Sequence, residues 1–205
     1  MFGLVGLLLG ASVLLGSTEQ LVLPLPYRSQ LDGSAYAGAN CGPTSLSMVL
    51  AYYGIDASPW ELRVKSMKAQ HSWVDDEGGY SDSYGVFVYN LASVGEAYGL
   101  RAAGLWRTET RHVDVLREWQ AGDLRQQISA GRPVIVQVLY RALPSATQMA
   151  YLEDHYIVVH GLQEGGFVYS DPLDGPGQVI SERGLSRAMA LASTPQVGFA
   201  LVKSN

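Results

Sequence analysis

The chain has 205 residues, of which 47% are hydrophobic and 16% charged, and its formal net charge is −5. Such a composition can bury a real core, which excludes intrinsic disorder, and the length suits one domain within the usual range of roughly 50–250 residues. The charge balance lacks the basic footprint of a nucleic-acid binder, so no nucleic-acid partner is expected.

Residues 1–16 read MFGLVGLLLGASVLLG, with no charge before Glu19 and no Lys or Arg before Arg28. A transmembrane helix needs about 20 apolar residues, so this run is closer to a signal-peptide core. It lacks the positively charged start, and Gly16-Ser17-Thr18 is a weak cleavage site. A signal peptide, a retained N-terminal anchor and a buried helix of the domain all stay open. The first two make the body secreted or extracytoplasmic, with residues 1–16 as a route to membrane attachment.

Residues 24–40 hold two prolines and then small and polar residues, which reads as extended chain followed by a loop. A helix is expected over Pro43 to Tyr53, where Leu46, Val49, Leu50 and Tyr53 form an apolar stripe at i, i+3, i+4 and i+7. Pro43 suits the first turn, and Gly54 suits a left-handed C-terminal cap. Ser58-Pro59-Trp60-Glu61 has the form of a capping box and opens a second helix. Residues 71–85 read as a polar loop, with His71 and the acidic run Asp75-Asp76-Glu77. Further helices are expected near 86–98 and 122–130, closed by Gly99 and Gly131. His112 falls near a helix start. Then the pattern changes. Pro133 to Tyr140 (PVIVQVLY) and Tyr156 to Leu162 read as strands, and Glu164-Gly165-Gly166 is a turn before a returning strand at Phe167 to Ser170. Short strands near 177–181 and 197–202 flank a helical stretch at 182–192. Helices first and then a mostly antiparallel sheet is an α+β layout. The four tryptophans fit core or cleft wall better than a binding platform.

Cys41 is the only cysteine. In an exported protein it has no internal disulfide partner and stands out as a reactive thiol; a small buried hydrophobe is the plain alternative. It lies at the start of the first strong helix. A helix N-terminus carries about half a positive charge and free N–H donors, and both favour a thiolate. Gly42 lets backbone N–H groups approach a developing oxyanion. His155, at the start of its strand, is the best-placed imidazole. His160, five residues on, points to the other face of an unbroken strand. It, His71 and His112 read as solvated or structural. Asp171 ends the strand that returns from the His155 strand, which brings it near His155 as an orienting group. Asp171-Pro172 is equally an ordinary turn initiator. No HExxH, CxxC, phosphate loop or calcium-loop spacing is present, so no metal or cofactor is expected.

Asn40-Cys41-Gly42-Pro43-Thr44-Ser45, followed by Met48-Val49-Leu50-Ala51-Tyr52-Tyr53-Gly54, resembles the nucleophile motif of family 39 of the cysteine peptidases. These are the bacteriocin-processing peptidases of the papain-like superfamily. His155-Tyr156-Ile157-Val158-Val159 with Gly161 resembles their histidine motif, and Asp171-Pro172 resembles the third-member motif. The likeness spans about residues 24–180. It implies a papain-like fold with N-terminal helices packed on a C-terminal sheet. It implies a Cys41-His155-Asp171 triad, and an oxyanion-hole glutamine for which Gln30 is the candidate. Gln30 lies 11 residues before Cys41, farther than the superfamily spacing, so a segment such as Ser34 to Gly38 must loop out. The expected division is a signal peptide or anchor at 1–18 and a peptidase domain at 19–205, a monomer acting on peptide or protein substrates. Two rivals use the same residues: a transglutaminase-like acyl transferase and a papain-like binding module without turnover. Transporter-linked members cut after a double glycine; this chain carries no ATP-binding domain to justify the same specificity. The acidic loop is read as a wall of the cleft that favours basic substrates.

Overall fold

The computed structural model describes residues 20–34, 36–70, 85–104, 106–110, 113–116, 118–147 and 153–204. The apolar segment 1–16, the acidic run Asp75-Asp76-Glu77, Trp73, His71 and His112 lie outside them.

The chain runs through strand β1 (Leu21–Val22) and helices α1 (Cys41–Tyr52), α2 (Pro59–Gln70) and α3 (Val88–Ala97). Strands β2 (Leu100–Ala103), β3 (Trp106–Thr110) and β4 (Val113–Leu116) follow, then helix α4 (Ala121–Ser129). Strands β5 (Val134–Leu139), β6 (Asp154–Gln163), β7 (Gly166–Asp171) and β8 (Gly175–Ser181) come next, and then helix α5 (Glu182–Ala190) and strand β9 (Gly198–Lys203). One seven-stranded sheet has the order β2-β9-β5-β6-β7-β8, with β1 also paired to β6. All its pairings are antiparallel. β3 and β4 form a separate two-stranded ribbon. The α+β class stands as expected.

The strands are apolar on both sides because both faces of the sheet are covered. Ile135, Tyr156, Val158, Phe199 and Leu201 pack with α1 and α3. Their neighbours Val134, Val136, Ile157, Val159 and Ala200 pack with Leu124 and Ile128 of α4 and Leu185 and Met189 of α5. The N-terminal helices thus cover one face, and α4 and α5 cover the other. The period of two along each strand sorts the two cores.

Helix α1 starts at Cys41, two residues before the expected Pro43, and residues 41–50 are all buried. A helix apolar around its whole circumference belongs inside a core. Leu46, Met48 and Leu50 have essentially no exposure. Each contributes about 1.5–3 kcal/mol by burial, which makes α1 a rigid support for whatever its first turn carries. Two of its hydroxyls are matched, Ser45 Oγ donating to Tyr156 O at 3.3 Å and Ser47 Oγ to Ala57 O at 2.6 Å, while Thr44 Oγ1 has no hydrogen-bond partner among the described residues. At α2, the Glu61 N–H donates to Ser58 Oγ at 3.1 Å, while the Glu61 carboxylate is taken by Lys65 and Tyr98.

Residues 100–116 depart from the expected pattern by forming three strands. Leu100-Arg101-Ala102-Ala103 has no β-branched residue, and its extended state comes from pairing with β9, from Leu100 opposite Lys203 to Ala103 opposite Ala200. Such a strand depends on a partner about 100 residues away, which local pattern cannot reveal. Trp119 is core, as expected, and donates its indole N–H to Gly104 O at 2.8 Å. Trp60 is half exposed and stacks on Tyr36, ring centroids 5.2 Å apart.

Candidate active site

The first turn of α1 abuts α3 and β6 so closely that a Cβ at position 42 would lie 2.8 Å from Leu91 Cδ1 and 3.1 Å from Tyr156 Cδ2. Gly42 is therefore what lets the first turn of α1 lie this close to β6. Cys41 is 4% exposed, and His155, Asp171 and Gln30 have no exposure.

Strand β6 delivers His155. Its first residue, Asp154, accepts Gln137 Nε2–H at 2.8 Å and both the N–H and the hydroxyl of Ser193, which pins the strand end. His155 stands opposite Val138 of β5 in the register, and Asp154 opposite Leu139. Strand β7 returns and ends at Asp171. Its Oδ1 accepts His155 Nε2–H at 2.7 Å, Leu173 N–H at 2.8 Å and Asp174 N–H at 3.3 Å. With Nε2 held by the carboxylate, the imidazole's other side is left for sulfur, and Cys41 lies close enough to His155 for each to shift the other's pKa. The three residues expected together are together.

Electrostatics follow from that contact. Burial pushes the Cys41 thiol up, but the His155 hydrogen bond and charge outweigh it, aided by the backbone groups of Tyr156 and Gly42, and the net shift is down. Burial alone would depress His155; the bonds to Asp171 and to Cys41 reverse this and raise it to about 10. Both directions favour a thiolate–imidazolium pair, the attacking form of a cysteine nucleophile. Tyr156 beside it is pushed well above the usual phenol range, by burial first and by the charge of Cys41 second.

Gln30 lies beside the same turn. Its backbone N–H donates to Pro172 O at 2.8 Å, which joins it to the residue after Asp171. Its Nε2–H donates to Ala37 O at 2.8 Å, and its Oε1 has no partner among the described residues. The extra residues between Gln30 and Cys41 do loop out, through a 3₁₀ turn at Ala37–Ala39. The loop is tied down from α2. Arg63 donates to Ala39 O at 3.2 Å and lies over the Tyr36 ring, 4.7 Å from its centroid.

His160 sits where the β6–β7 register shifts between Val159 and Gly161, so the strand is not unbroken there. Its Nδ1 faces Leu23 O at 3.0 Å, so that nitrogen carries the proton, and Nε2 accepts from Ser170 Oγ at 3.1 Å. Burial lowers its pKa. It fastens β1 to the sheet. Gly161 serves the same join: a Cβ there would fall 2.9 Å from Val168 Cβ and 3.1 Å from Leu21 O. Among the described residues no three His, Cys, Asp or Glu side chains gather as a metal site would require. No described helix is long and apolar enough to cross a membrane.

An α+β fold with a cysteine at a buried helix start and a histidine on the facing sheet defines the papain-like class of cysteine peptidases. Residues 22–185 match the Peptidase_C39 like family, and the chain belongs to that family. Among solved structures, a C39-like peptidase from Bacillus anthracis superposes with a TM-score of 0.65, covering 91% of this chain and 99% of its own at 20% identity. A double glycine motif protease from an AMS/PCAT transporter, solved in complex with the leader peptide, gives 0.53, covering 89% and 94% at 18% identity. No curated protein sequence matches. At such identities the two structures establish the fold, and the family makes the protein a cysteine-peptidase-like one.

Proposed function

We propose that the protein hydrolyses peptide bonds through Cys41, His155 and Asp171. One observation carries this reading: inside one buried cluster Asp171 Oδ1 holds His155 Nε2 at 2.7 Å, while His155 and Cys41 bias each other toward the imidazolium–thiolate pair. The Cys41 thiolate attacks the amide carbonyl. His155, as imidazolium, protonates the departing amine and then, neutral, takes a proton from water that attacks the thioester. Asp171 keeps Nε2–H engaged, so that Nδ1 serves the sulfur and the leaving group. The backbone N–H of Cys41 at the helix start is one donor for the oxyanion. The second proton of Gln30 Nε2 is another, because the bond to Ala37 uses only one. A peptide as substrate agrees with the structural neighbour that was solved with a leader peptide.

The proposed site of action is outside the cytoplasm, on the strength of the apolar run at residues 1–16. Fractionation of cells expressing the full chain should place it in the envelope or the medium; an all-cytosolic distribution would refute this. The activity is tested by profiling a peptide library with wild type and Cys41→Ala. A peptide cut by wild type should survive the variant, and equal cleavage by both would sink the reading.

A further inference from the structure

Tyr140 is fully buried, and none of the steps above uses it. It follows β5 and opens the 3₁₀ turn Tyr140–Ala142. Its ring stands edge-on to the His155 imidazole, with centroids 5.3 Å apart and planes at 79°. The far end of the ring is held from two directions. The hydroxyl donates to Asp174 Oδ2 at 2.6 Å and accepts the Thr147 N–H at 2.9 Å. Asp174 Oδ1 takes the Thr147 hydroxyl at 2.5 Å. The backbone N–H of that same Asp174 reaches Asp171 Oδ1, the oxygen that holds His155 Nε2. The contacts therefore form a closed circuit from His155 through Asp171 and Asp174 to Tyr140 and back to His155.

Contacts in the plane of an imidazole, such as the one at Nε2, resist tilting of the ring out of that plane only weakly. A thiolate partner on the opposite nitrogen tolerates little rocking, since a misplacement of about 1 Å costs on the order of 100-fold in rate. A ring packed against the imidazole stops the motion only if the ring itself cannot yield. A phenol locked as both donor and acceptor meets that condition, whereas a phenylalanine would fill the same volume without the lock. We propose that Tyr140 and Asp174 are positioning residues that hold the His155 imidazole in register with Cys41 and Asp171 at once. The inference rests on reading Cys41 and His155 as the reactive pair. It adds that the turn after β7 and the segment after β5 set the angle of the general acid.

The test uses the full chain as wild type, Tyr140→Phe, Asp174→Ala and the double variant. Two readouts are taken: the pH profile of Cys41 alkylation by iodoacetamide, which needs no substrate, and kcat and KM on a peptide that wild type cleaves. Each single variant should lower kcat by about tenfold with KM within about twofold, because the loss lies in orientation and not in binding. Each should also slow alkylation below neutral pH, where the thiolate depends on a well-placed imidazolium. The double variant should be no worse than the worse single one, since both cut one linkage. Folded single variants with the wild-type alkylation profile and wild-type kcat would overturn the proposal. So would fully additive losses. If wild type cleaves no peptide, the alkylation profiles still decide the brace, so the two readings can fail separately.

Discussion

The two halves of the candidate site are assembled by different physics. Cys41 depends on residues near it in the chain: Gly42 and Pro43 in its own turn and ten consecutive buried residues of α1. His155 and Asp171 depend on distant ones. Their meeting needs β6 paired with β5 and β7, a pinned strand end at Asp154, and a turn whose backbone donates to Asp171. The cysteine half is a local device set into a rigid helix, and the histidine half is a product of sheet register. Chemistry and stability should therefore be separable on the first side and entangled on the second.

Substitutions can break or sharpen that contrast. The largest effect is expected from pairing Cys41→Ala with Asp171→Ala. Both should cut peptide hydrolysis severely, by about 10⁴-fold or more for Cys41. Only Asp171→Ala should also destabilise the fold, by roughly 2–4 kcal/mol, because it strands the Leu173 and Asp174 N–H groups and a buried imidazole. Urea denaturation monitored beside the assay checks this, and equal stability of the two variants would break the contrast. Next, Gln30→Ala should lower kcat by about 100-fold if its amide holds the oxyanion. A loss confined to stability would make Gln30 only the anchor of the loop at Ala37.

The pH profile sharpens the same comparison. The Cys41 thiol is shifted down, and His155 is shifted from its ordinary 6.5 up to about 10. The reactive pair exists above the lowered Cys41 titration and below that of His155. Alkylation of Cys41 should rise on the acid side as the thiolate forms and stay high, whereas peptide hydrolysis should fall as His155 loses the proton it gives to the leaving amine near pH 10, and the two limbs of the hydrolysis profile belong to the pair together. A raised histidine adds stability that is complete below about 6.5 and lost as pH climbs through about 10. His155→Ala should remove that stability window and move the rise in Cys41 alkylation to higher pH. The smallest effect is expected from Gly42→Ala. Alanine gains up to about 1 kcal/mol of helix propensity but crowds Leu91 and Tyr156, a strain of about 1–3 kcal/mol. A net loss of about 1 kcal/mol with a larger fall in kcat would show how closely the sulfur's position is set.

Much of the site was legible because its signals are local or come as strings. Cys41 at a helix start, His155 opening an apolar strand and Asp171 closing the returning one each carry a pattern within a few residues. The looping-out between Gln30 and Cys41 was legible as a spacing. Tyr140 was not. In PVIVQVLY it reads as one more strand residue, and only the 3₁₀ turn that follows β5 swings it against His155. Asp174 gave no signal either, since a carboxylate three residues past Asp171 looks like any turn residue. β2 was missed because it borrows its strand character from β9.

By itself, then, the sequence determined the strongly periodic elements but not β2, β3 and β4, along with the α+β class and the three residues that end or begin those elements. Helix caps and alternating apolar residues act over a few positions, and one chain segment suffices to display them. Tertiary structure alone decided that Gln30 bonds to Ala37 and Pro172, that α4 and α5 cover the second face of the sheet, and that Tyr140 backs His155. Those are contacts between segments distant in the chain or turned by long-range register, and packing against a whole core sets them.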